Sequence, residues 1–126
     1  MPKIMIVDDE VNILNVLEKF FKIKGFEVVC VNNGREALER VNSTDNISML
    51  IVDLRMSGVS GVDILKSISV MNKKIPAVIL SGCPQVDEKD LEELRKLGFS
   101  ETDVYCKPMD LFVLLEVVNN KLSLKS

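Results

Sequence analysis

The sequence predicts an α/β protein, a doubly wound parallel five-stranded sheet enclosed by two layers of helices. Three observations lead there. Short apolar runs alternate with stretches of helical spacing five times along 126 residues. Most runs are continuously apolar, as strands buried on both faces are. The connections are short, which favours right-handed crossovers and a three-layer sandwich. The common order for such a sheet is 2-1-3-4-5, with a switch point between strands one and three.

Strand one is expected at about Lys3–Val7. Helix one follows at about Val11–Lys24, where Ile13, Val16, Leu17, Phe20 and Phe21 keep helical spacing and Gly25 is a natural stop. Strand two, about Phe26–Val31, is the least hydrophobic and belongs at a sheet edge. Asn32 or Asn33 can cap a short helix two carrying Ala37, Leu38 and Val41. A polar loop, Asn42–Asn46, leads to strand three at about Ser48–Asp53. A glycine-punctuated loop, Arg55–Gly61, precedes helix three at about Val62–Met71. Lys73–Pro76 reads as a turn, Ala77–Ser81 as strand four and Gly82-Cys83-Pro84 as a loop. Helix four spans about Glu88–Leu97 and stops at Gly98. Strand five is about Asp103–Cys106 and helix five about Asp110–Leu122, with a polar, frayed tail or linker start at Ser123–Ser126.

The length suits one domain, here residues 1–122, with enough chain for a real core. The apolar fraction is 47% and the charged fraction 28%, ordinary for a globular protein. A net charge of −3 argues against a nucleic-acid surface, which is usually basic. No apolar run has the length of a membrane span, so a cytoplasmic protein is expected. Cys30, Cys83 and Cys106 lack metal-ligand spacing, there is no His to join them, and reduced thiols are the expectation. Lys73-Lys74 and Asp87-Glu88-Lys89-Asp90 read as solvated turns and a helix start.

Five polar residues follow apolar runs: Asp8 and Asp9, then Asp53, Ser81 and Lys107. In a parallel sheet the carboxyl ends of the strands form the ligand-binding edge. Three carboxylates, a hydroxyl and an ammonium should therefore meet there. Carboxylates about 4 Å apart repel by roughly 4 kcal/mol at an effective dielectric of ~20. A hard divalent cation such as Mg²⁺ offsets that. Lys107 offers a point charge for a phosphate or carboxylate, and Ser81 a hydroxyl donor. Asp53, mid-sheet, can act as a nucleophile and give an aspartyl phosphate. Phosphoryl transfer depends on positioning and charge neutralisation more than on acid–base groups, which fits a site without His.

Each motif has a plainer explanation. Asp8-Asp9-Glu10 could merely cap a helix, and Asp53, Ser81-Gly82 and Lys107-Pro108 could be turn or strand-end residues. All five at once are hard to explain as turns. Ile6–Glu10, Asp53–Met56 with Gly61, Leu80–Gly82 and Lys107-Pro108, in this order and spacing, resemble the receiver domain of two-component response regulators. The resemblance covers about Pro2–Leu122. It implies a flavodoxin-like, CheY-like fold with Asp53 as phosphoacceptor. It implies Mg²⁺ held directly by Asp9, partly through water by Asp8, by Asp53, and by the main-chain carbonyl of Arg55. Ser81 would move toward the phosphoryl group and Lys107 would contact one of its oxygens. The Lys107–Pro108 bond would be cis. The implied partners are a sensor histidine kinase or phosphotransfer protein and a downstream effector, with a homodimer of the phosphorylated form within the family's range. Such a domain assists its own phosphorylation and dephosphorylation and is not an enzyme on outside substrates.

The chain departs from the family pattern. Ser57 stands where Pro is common, which suggests a looser loop. Ser100-Glu101-Thr102 lengthens the helix-four to strand-five connection. The aromatic expected three positions before the lysine is Val104, and Tyr105 follows it, on the opposite face of a strand. Arg55 and Cys83 occupy positions that tune phosphoryl lifetime in this family. The alternative function is a pseudo-receiver that serves as a constitutive interaction or dimerisation module. An aspartate-nucleophile phosphatase wants a second Asp two residues after the nucleophile, where this chain has Arg55.

Overall fold

The computed structural model describes residues 2–43, 46–56, 58–71, 74–82 and 87–125. Its strands are β1 Lys3–Val7, β2 Glu27–Val31, β3 Met49–Asp53, β4 Ala77–Gly82 and β5 Val104–Lys107. They pair in parallel in the order β2-β1-β3-β4-β5, as the pattern predicts. The helices are α1 Val11–Ile23, α2 Gly34–Asn42, α3 Gly61–Val70, α4 Glu88–Lys96 and α5 Leu111–Lys125. Every residue of the central strand β3 is buried, whereas β2, at the edge, buries only Val31.

Strand alternation divides the core in two. Met5, Val7, Leu50, Val52 and Ile79 face one side and meet Ala37 and Val41 of α2, Ile64, Leu65 and Ile68 of α3, and Leu94 of α4. Ile4, Ile6, Met49, Ile51, Val78 and Leu80 face the other and meet Leu14, Leu17 and Phe21 of α1 and Leu114 and Val118 of α5. The sheet thus lies between α1 and α5 on one face and α2, α3 and α4 on the other.

Local signals explain the helix ends. Asn33 caps α2, its side chain accepting from the Glu36 N–H at 2.8 Å. Gly25 takes a φ of +94° after α1, where the Phe26 N–H donates to the Phe21 carbonyl and the Gly25 N–H to that of Lys22. Gly98 (φ +95°) repeats this pattern after α4, and Phe99 packs beside Leu94. Ser60 and Asp63 form a capping box that starts α3 at Gly61, one residue before the apolar spacing begins.

Three expectations need correction. Ser100–Thr102 is not a plain extension of the loop: Glu101–Asp103 form a 3₁₀ turn, and β5 starts at Val104 rather than Asp103. Asp103 closes onto the Ser100 N–H at 2.9 Å, while Glu101 pairs with Arg95 of α4 and Asp103 with Lys121 of α5. The tail expected to fray from Ser123 continues α5 to Lys125. Cys106 is disulfide-bonded, contrary to the expectation of reduced thiols, and Cys30 is a free thiol. The inferences drawn from Ser57 and Cys83 fall outside the described residues.

Candidate functional site

The carboxyl edge of the sheet gathers the predicted residues. β1 ends at Val7, aligned between Val31 of β2 and Val52 of β3, so Asp8 leaves the sheet where the winding direction reverses. Its N–H still bonds the Val31 carbonyl at 3.2 Å. Asp53 closes β3 opposite Leu80. Ser81 pairs in register with Cys106, and Gly82 with Lys107. Strand pairing alone therefore brings four segments, far apart in sequence, to one edge.

Asp8 and Asp53 are 1% and 6% exposed, so both carboxylates are out of bulk water, while Asp9 is exposed. One oxygen from each of Asp8, Asp9 and Asp53 lies within 4.8 Å of the others. The Lys107 ammonium bridges the buried pair, 2.9 Å from Asp53 Oδ2 and 3.0 Å from Asp8 Oδ2. The other oxygens meet the backbone: Asp8 Oδ1 accepts from the Glu10 N–H at 2.9 Å, and Asp53 Oδ1 from the Arg55 N–H at 3.3 Å. Asp8 Oδ2 is fully buried and, although ion-paired, accepts no well-directed hydrogen bond. Ser81, 7% exposed, donates to the Gly82 carbonyl at 3.1 Å. The Lys107–Pro108 bond is cis, as expected.

Burial raises the Asp53 pKa above its ordinary value. The hydrogen bond and charge of Lys107 pull it down, Asp8 pushes it up, and burial prevails. Burial also works against the charge on Lys107, but its hydrogen bond to Asp53 and its pairing with the charges of Asp53 and Asp8 outweigh that and raise its pKa.

The donor set fits a hard divalent cation. It consists of carboxylate oxygens within reach of one another, one of them buried and poorly partnered, without imidazole or thiolate among the clustered ligands. Gly61 explains how the loop beyond Asp53 folds back so tightly. A Cβ there would sit 2.5 Å from the Asp53 carbonyl oxygen and 3.0 Å from the Leu54 Cα.

With the site in view, the comparisons with known proteins are decisive. Residues 4–119 match the family model of the response regulator receiver domain. The chain belongs to that family. It is 34% identical to the regulatory protein AtoC of Escherichia coli over 98% of this chain and 26% of that protein. It is 29% identical to the sporulation initiation phosphotransferase F of Bacillus subtilis over 98% of this chain and 96% of that one. The response regulator SaeR of Staphylococcus epidermidis is 31% identical over 98% of this chain and 51% of its own length. The chain thus spans about a quarter of the first relative, half of the third and nearly all of the second. Among solved structures, the receiver domain of the Francisella response regulator 1452 superposes with a TM-score of 0.84 at 27% identity, with both chains fully covered. A receiver domain from Clostridium thermocellum gives 0.83 at 28% identity, over 99% of this chain and 97% of that one.

One feature of the receiver's surroundings lies beyond what the sequence shows, and a second follows its pattern. The Arg55 guanidinium reaches α4, 3.2 Å from Asp90 and 3.5 Å from Asp87. The clue available is an arginine in the loop after Asp53 and two acids three residues apart at a helix start, a charge cluster that by itself reads as solvated. Val104 and Tyr105 do part to opposite faces, Val104 against the α3 and α4 layer and Tyr105 against the α1 and α5 layer. The position facing α4 therefore holds no aromatic ring.

Proposed function

We propose that the receiver takes a phosphoryl group from a phosphohistidine of a sensor kinase or phosphotransfer protein onto Asp53, with Mg²⁺, and so switches a partner-binding surface. The observation that carries this reading is the buried Asp53 carboxylate, clustered with Asp8 and Asp9 and paired with Lys107. Asp9, Asp8, Asp53 and the Arg55 main-chain carbonyl would hold the cation. Bound there, Mg²⁺ supplies charge neutralisation for the carboxylates and the incoming phosphoryl oxygens.

The chain's own groups do the rest. An Asp53 oxygen forms the new O–P bond as the donor's N–P bond breaks, and the imidazole leaves with the electron pair and takes up a proton. Lys107, beside Asp53 Oδ2, pairs with a phosphoryl oxygen as it arrives. The Ser81 hydroxyl exchanges its bond to the Gly82 carbonyl for a phosphoryl oxygen. Burial raises the Asp53 pKa, which makes its carboxylate more basic and hence a better nucleophile.

The domain acts only on itself, so it is a switch rather than an enzyme on outside substrates. Its partners are the kinase or phosphotransfer protein and an effector protein or domain. The phosphorylated form is the one that could pair through α4 and α5. The net charge of −3 speaks against direct nucleic-acid binding by this segment. Among the described residues no helix is long and apolar enough to cross a membrane, and we place the protein in the cytoplasm, where such kinases present their phosphohistidine.

The test is intact mass after incubation with Mg²⁺ and acetyl phosphate, alongside Asp53→Asn. A single phosphoryl adduct on the wild type alone, abolished by chelation, is expected. No adduct together with no bound beryllofluoride would overturn the reading and favour a constitutive interaction module.

A further inference from the structure

Helix α4 is weakly seated. Leu94 is its one buried residue, at the far end from the phosphoacceptor. The remainder is held at its surface by charge: Arg55 on Asp87 and Asp90, Lys66 of α3 on Glu93, and Arg95 on Glu88 and Glu101. Elements with few buried contacts open at the lowest free-energy cost.

Arg55 belongs to two structures at once. Its N–H is bonded to the Asp53 carboxylate, so its backbone is tied to the phosphoacceptor. Its guanidinium is shared between Asp87, the N-cap of α4, and Asp90 in the first turn. The guanidinium is a planar fork suited to bidentate recognition of carboxylate or phosphate. Asp87 and Asp90 together present two carboxylates, and a phosphoryl group on Asp53 presents a compact dianion two residues from Arg55.

We propose that Arg55 is a latch between the phosphoacceptor loop and the first turn of α4, opened when the phosphoryl group draws the guanidinium away from Asp87 and Asp90. The latch rests on Asp53 being the phosphoacceptor. It provides a route from the site to α4 that needs no aromatic ring on β5, and Val104 occupies the position facing α4. Losing Arg55 also leaves Asp87 and Asp90 without their cation, so the first turn loosens where the helix has no buried side chain. The attraction is between exposed groups, so the shift is graded: about fivefold in the opening equilibrium, the combined worth of two exposed ion pairs.

The test is hydrogen exchange of the α4 amides, read by mass spectrometry with Mg²⁺ alone and with Mg²⁺ plus beryllofluoride. Binding of beryllofluoride is verified in the same samples by ¹⁹F resonance. In the wild type the first turn of α4 should exchange about fivefold faster with beryllofluoride. Asp87→Asn/Asp90→Asn should exchange fast in both states. Asn preserves the cap at position 87, so a lost cap would not account for this. Arg55→Gln, which leaves α4 untouched, should do the same. Wild-type exchange that is unchanged while beryllofluoride binds overturns the latch and leaves the phosphoacceptor reading standing. Variants that still accelerate on binding overturn it as well. No bound beryllofluoride and no acetyl phosphate adduct would overturn both.

Discussion

Asp53→Asn should stabilise this domain when metal is chelated and deprive it of its response to Mg²⁺. The Asp8 and Asp53 oxygens lie within 4.8 Å, a separation at which like charges repel by roughly 3.5 kcal/mol at an effective dielectric of ~20. Lys107, at 2.9 Å, offsets this by roughly 6 kcal/mol on the same rule, shared between two carboxylates. Against that gain stands the cost of taking a carboxylate out of water, several kcal/mol per buried ion. The raised Asp53 pKa says that burial wins. A group whose folded pKa lies above its unfolded value disfavours the fold once it is ionised. That penalty is in force above the folded pKa and is lost as pH falls through it toward the unfolded value. The neutral amide should therefore raise the melting midpoint of the domain in chelator. The assay is thermal unfolding by circular dichroism at pH 7.5, in chelator and in 10 mM Mg²⁺, repeated toward pH 4. The wild-type deficit should close as the pH falls. Mg²⁺ should raise the wild type, because ligands of the native state stabilise it by mass action, and raise the variant much less. A variant several degrees less stable in chelator, or an equal Mg²⁺ response in both proteins, would refute this account of the site.

Lys107→Met should destabilise the apo domain by about 2–4 kcal/mol in urea titrations, because it strands two buried carboxylates, and Mg²⁺ should restore part of the loss. Gly61→Ala should cost about 1–3 kcal/mol and slow adduct formation from acetyl phosphate, because the added carbon meets the Asp53 carbonyl oxygen at 2.5 Å. Cys30, whose thiol is pushed up to about 11 by burial and by Glu18, should alkylate slowly at pH 8 in the native state, with a rate that climbs toward pH 11. A native rate at pH 8 equal to that in urea would contradict this.

Much of the fold is written in local pattern. β3 is apolar throughout because it is buried on both faces, and β2 mixes Glu27 with valines because it lies at the edge. Asp8, Asp53, Ser81 and Lys107 are legible because each follows a run that fits a buried strand, and the parallel topology then does the assembling. What stays hidden depends on pairings across long separations. Arg55 meets Asp90 across 35 residues, a distance at which spacing says nothing. The Glu101–Asp103 turn has a local signature in Ser100 with Asp103 three residues on, but its pairings with Arg95 and Lys121 on two different helices have none. The continuation of α5 through Ser123 escapes because a polar end reads the same frayed or helical.

The charge balance at the edge ties the site to its surroundings. Asp8, Asp9 and Asp53 against Lys107 leave a surplus of two negative charges, and one divalent cation would cancel it. Phosphorylation replaces the single charge of Asp53 with a group of about −1.5 to −2. Lys107 is already committed, with its ammonium between two carboxylates and its side chain mostly buried. The uncompensated fraction of a charge therefore acts on a neighbouring exposed cation. Arg55 is two residues away, 69% exposed, and held only by surface carboxylates. A cation buried in the core would move too little to signal, and one further out would be screened by salt. Arg55 has an exposed side chain and a backbone N–H bonded to Asp53, which is what would convert a fractional change of charge at Asp53 into a change in how α4 is seated.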